Sequence, residues 1–117
     1  YRIPLLFWGP VIKAEYRGIK MNVLGAQYDI PATLLYQMGI DSKEYHWSKD
    51  LMNPNVKQFA FHNIIQGYGW ITDKGFLTYY MPMTRYFEDT FSEEDKEQEH
   101  TNCDAYLTQL YQYYKDL

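Results

Sequence analysis

The sequence predicts an α/β fold, or α+β if the chain is a segment of a larger protein, and three observations lead there. Ile3–Trp8 is a short continuous apolar run closed by Gly9-Pro10, the pattern of a strand buried on both faces. A helical pattern of about two and a half turns then follows Asp29-Ile30-Pro31. Finally, the stretch from Phe59 to Met81 is β-rich and broken by turn residues.

Element by element, Val11–Asn22 mixes charge with single apolar residues and reads as a solvent-edge connection. Asp29 is placed to cap a helix over 30–38, with Pro31 tolerated in its first turn. Ile30, Leu34, Leu35 and Met38 share one face of it, and Gly39 supplies the left-handed stop. Residues 41–55 are polar and turn-rich, with Ser48 or Asp50 able to open one helical turn before Asn53-Pro54. Tyr68–Thr72 and Phe76–Met81 flank Asp73-Lys74-Gly75 and form a hairpin, beside which Phe61–Ile65 adds a strand, an antiparallel meander over about 59–81. The charge-dense segment 88–100 reads as a solvated acidic loop. Cys103, Tyr106, Leu107, Leu110, Tyr113, Tyr114 and Leu117 repeat at helical spacing, so a C-terminal helix over about 102–117 follows, capped by Thr101 or Asn102. The organisation is therefore 1–57 and 58–117, the second part a small closing subdomain.

Composition narrows the function. The chain has 117 residues, 46% of them hydrophobic and 22% charged, which excludes a disordered tail, a collagen-like fibre and a coiled coil. Its 13 Tyr, 6 Phe and 3 Trp need a core or a wet interface. The net charge of −4 is local: residues 88–100 hold seven acids and one base, and the remainder carries 8 acids and 10 bases. No basic stripe suits nucleic acid. The longest uncharged run, Ile3–Ile12, has ten residues, two prolines and a glycine, against the roughly 20 apolar residues that a membrane span needs. A buried strand starting at once after Tyr1, with no lead-in, reads as cut from a longer protein.

The residues offer no convincing catalytic set. His46, His62 and His100 lie in three segments without metal-ligand spacing. His62 reads as packed, surface or substrate-contacting, and His46 beside Trp47 as loop or ring-stacking. Cys103, the single cysteine, opens the expected helix, where a dipole lowers a thiol pKa, but its place on the apolar stripe favours a buried thiol. Glu88-Asp89 and Glu93-Glu94-Asp95 lack the glycine-punctuated spacing of a calcium loop. Met38, Met52, Met81 and Met83 read as core fillers. Tyr79-Tyr80 and Tyr111 to Tyr114 serve either packing or the binding of glycan or lipid head groups.

Several segments carry a resemblance. Arg2–Pro10 resembles the "x-I-P-L-L-x-x-G-P" strand near the end of sulfatase-like enzymes of the alkaline phosphatase superfamily. Gly25–Leu35 followed by Met38-Gly39-Ile40 resembles their "G-s-Q-x-D-i-x-P-T-L-L-x-x-l-G-i" segment, with Pro31 one place early. Asp41–Tyr45 and Lys49-Asp50-Leu51 resemble the following stretch of lipoteichoic acid synthase-like proteins, with Ser48-Lys49 where a glycine is usual. Phe59-Ala60-Phe61 with Gly67–Thr72 is similar to their "F-x-n-G-x-g-f-i-t" hairpin.

The resemblance implies the end of a sulfatase-like α/β sandwich, in a metal-dependent phosphotransferase or hydrolase anchored at the extracytoplasmic face of the cell membrane. Such enzymes use a divalent metal (Mn, Zn or Ca) beside a nucleophilic Thr, or a Cys or Ser matured to formylglycine, with an Asp-His pair. No position of this chain matches the nucleophile or a metal ligand, so no catalytic or metal residue and no cofactor is assigned to it. Its partner would be the upstream catalytic part of the same chain, acting on a lipid- or glycan-linked phosphate or sulfate ester. The alternative reading is a free-standing, aromatic-rich glycan or lipid head-group binding module in which Trp47 or Trp70 makes the contact.

Overall fold

The structure, a computed structural model, describes residues 3 to 117. It has an α+β fold of helices and one four-stranded antiparallel sheet. The contacts divide the chain into two compact units, the first ending at Gln58 and the second Phe59–Leu117.

The first unit contains one α-helix, α1, Ile30–Gln37. Its end is a full Schellman turn: Ile40 N–H donates to Leu35 O (2.9 Å), Gly39 N–H to Tyr36 O (3.1 Å), and Gly39 takes φ +70°. The expected apolar face is not the buried one. Ala32, Thr33 and Gln37 are buried instead, while Met38 is exposed, because polar groups described below hold the inner side. Of the two residues placed to open one turn before Asn53-Pro54, Asp50 does so, Asn53 N–H donating to Asp50 O (3.2 Å) and Met52 N–H to Asp50 Oδ1 (3.0 Å), whereas Ser48 Oγ accepts from Ala32 N–H (2.9 Å).

The expected buried strand 3–8 is the largest correction; the two residues before it lie outside the described chain. Residues 3–8 form no strand, and Ile3, Leu5, Leu6 and Trp8 are 67%, 49%, 85% and 93% exposed. A strand exists only where its N–H and C=O groups meet a partner ladder. The one sheet among the described residues is built entirely from Phe59–Asp89.

The second unit carries that sheet, in the order β1-β2-β3-β4: β1 Phe59–Ile64, β2 Gly67–Thr72, β3 Phe76–Tyr80 and β4 Arg85–Asp89. The predicted hairpin is present, with Thr72 N–H donating to Gly75 O across Asp73-Lys74 (2.9 Å). The sequence reading lacked β4. The meander expected over about 59–81 does not end there: a 3-10 turn over Met81–Met83 and a left-handed Thr84 (φ +48°) carry the chain back against β3.

The acidic loop 88–100 is also corrected. Glu88 and Asp89 belong to β4, and the helix, α2, runs Glu93–Lys115. It starts at Ser92, whose Oγ accepts from Asp95 N–H (3.2 Å), rather than at Thr101 or Asn102. Glu93, Glu94 and Asp95 then sit in the first turn, where the helix dipole favours negative charge. Glu99, Cys103, Tyr106 and Leu110 follow at helical spacing, the last two packing on the cluster of Phe61, Tyr68, Trp70, Leu77, Phe91 and Cys103. Tyr106 is the centre of the aromatic packing, its ring 5.4, 5.1 and 5.7 Å from those of Phe59, Phe61 and Trp70.

Candidate functional site

In the first unit the motif residues converge on a buried polar node. Asp29 is fully buried: its Oδ1 accepts from Lys49 N–H (2.9 Å), and its Oδ2 from Ala26 N–H and Lys49 Nζ (both 2.8 Å). The expected cap of α1 by its side chain is therefore not made; the carboxylate instead ties the loop before the helix to the loop after it. One turn on, Thr33 Oγ1 donates to Asp29 O (2.8 Å) and accepts from Leu51 N–H (2.9 Å). Gly25 lies against the side chain of Leu51, so any β-carbon there would collide. Gly25, Asp29 and Thr33 thus meet Lys49 and Leu51 in one packed joint. With every oxygen of Asp29 committed to donors, the joint is suited to holding two loops in place rather than to proton transfer.

The histidines stay apart in role. His46 is exposed in a loop. His62 lies with its ring over Gly69, its cross-strand partner, and burial there lowers its pKa. His100 Nε2 meets Asp89 Oδ2 at 2.7 Å, joining α2 to β4; Lys96 Nζ lies 3.7 Å from the same oxygen, and the His100 ring is 4.3 Å from that of Tyr86. Of the other acids considered for calcium, Asp95 pairs with Lys74 (2.5 Å) and Glu93 with Lys96 (3.5 Å). Among the described residues, no three His, Cys, Asp or Glu side chains stand where they could hold a metal ion. The donor set does not fit the divalent metal that the resemblance implies, and no reaction step is assigned to these residues.

Cys103 is buried mid-helix, away from the positive end of the dipole because α2 starts ten residues earlier. Burial, with Asp104 adding to it, pushes its thiol up to about 12. Trp70 is no surface contact either. It is buried, stacked on Phe59 at 4.7 Å, and its Nε1–H donates to Glu99 Oε2 (3.1 Å). Glu99, read as part of an acidic loop, is the buried carboxylate that the sequence reading missed; its spacing from Cys103 and Tyr106 is the signal that marks its face of the helix. Of the methionines taken as core fillers, Met52 is buried, whereas Met38, Met81 and Met83 are exposed. Tyr79 packs between Tyr68 and Tyr86 (5.2 and 5.3 Å), and Tyr111, Tyr113 and Tyr114 are exposed near the end of α2.

The sheet face opposite α2 carries an apolar groove of about 270 Å³ lined by Ile64, Thr78, Tyr80, Met83 and Phe87. No helix of the described chain is long and apolar enough to cross a membrane. Comparison with family models, curated proteins and solved structures finds no match.

Proposed function

We propose that these residues are the closing, C-terminal segment of a metal-dependent, sulfatase-like phosphotransferase or hydrolase at the extracytoplasmic face of the cell membrane. In that role they complete the sheet and rim of an α/β domain whose metal and nucleophile lie upstream, and they are inactive alone. The observation that carries the reading is the imbalance of the first unit. It builds a tightly satisfied joint from Gly25, Asp29, Thr33, Lys49 and Leu51, yet leaves the apolar run Ile3–Trp8 uncovered. An apolar run without a ladder or a cover is the kind of segment that gains most by joining another sheet. The binding-module alternative has less support, because Trp70 is a core residue bonded to Glu99.

The test is the coding sequence upstream of the Tyr1 codon. Membrane spans, then a domain with a candidate Thr nucleophile and an Asp-His pair shortly before Tyr1, are expected. A start codon next to Tyr1 overturns the proposal. Independently, the 117-residue chain should not hydrolyse nitrophenyl phosphodiesters or sulfate esters with Mn²⁺, Zn²⁺ or Ca²⁺, and turnover lost on a point change within these residues would refute it.

A further inference from the structure

We draw no further inference here: the strongest candidate, the apolar groove lined by Ile64, Thr78, Tyr80, Met83 and Phe87 on the sheet face opposite α2, is an unpartnered surface, and nothing in the structure shows what covers it.

Discussion

The hydrogen bond between Trp70 and Glu99 should be the energetic hinge between sheet and helix in the second unit. The indole N–H meets Glu99 Oε2 at 3.1 Å with both residues buried, and Asn102 Nδ2 reaches the same oxygen only at 3.4 Å. A hydrogen bond to a charged acceptor contributes about 1.5–3 kcal/mol, and a buried donor left without a partner costs about 1–3 kcal/mol. Glu99→Ala strands the indole N–H; Trp70→Phe leaves the carboxylate with the longer Asn102 contact alone. Each single change should cost about 2–4 kcal/mol once lost packing is included. The double variant should cost less than the sum by about 1–2 kcal/mol, the coupling expected of groups in direct contact. Urea unfolding followed by far-UV CD, on the wild type, the two single variants and the double, measures this. A coupling below about 0.3 kcal/mol, the scatter of independent sites, would refute the reasoning.

Other consequences are as direct. Ser92→Ala removes the cap of α2 and should cost about 1 kcal/mol, with faster amide exchange in the first helical turn. Gly67→Ala should be clearly worse than Gly69→Ala, by about 1 kcal/mol or more, since a β-carbon meets the backbone oxygen of Tyr79 in the first case and only a side chain, the His62 ring at the sheet surface, in the second; paired thermal melts decide it, and equal losses would count against the argument. Stability should fall in alkali. Burial raises Cys103 to about 12 from 9.0, Tyr86 to about 12 from 10.0, and Tyr68 further. The unfolded chain therefore releases these protons first, so the stabilisation is whole below about pH 9 and is lost as pH rises through the folded values. Unfolding midpoints that stay flat from pH 8 to 11 would contradict this.

Several features were legible in the sequence because their causes are local. The stop of α1 at Gly39 needs one left-handed residue, and the hairpin across Asp73-Lys74-Gly75 needs only two β-rich runs and a turn between them. The block from Gly25 to Leu35 could be marked as a motif, but its meaning was not visible. Asp29 looks like a cap until Lys49, twenty residues on, is seen to supply two of its three donors. The acidic segment misled for a related reason. Seven acids look solvated, yet Ser92 and the dipole make their first turn helical, and Trp70 from β2 gives Glu99 a donor that lets it be buried.

What the sequence by itself determined is the α+β class, the first three strands of the meander and the presence of two helices, all set by periodicity and by single turn residues. Tertiary structure alone decided which apolar runs are covered. Ile3–Trp8 and Phe76–Tyr80 read alike as strands, but only the second has neighbours on both sides. The same holds for the groove, whose residues come from β1, β3, the turn after it and β4. No local pattern joins Ile64 to Phe87; pairing across the sheet does.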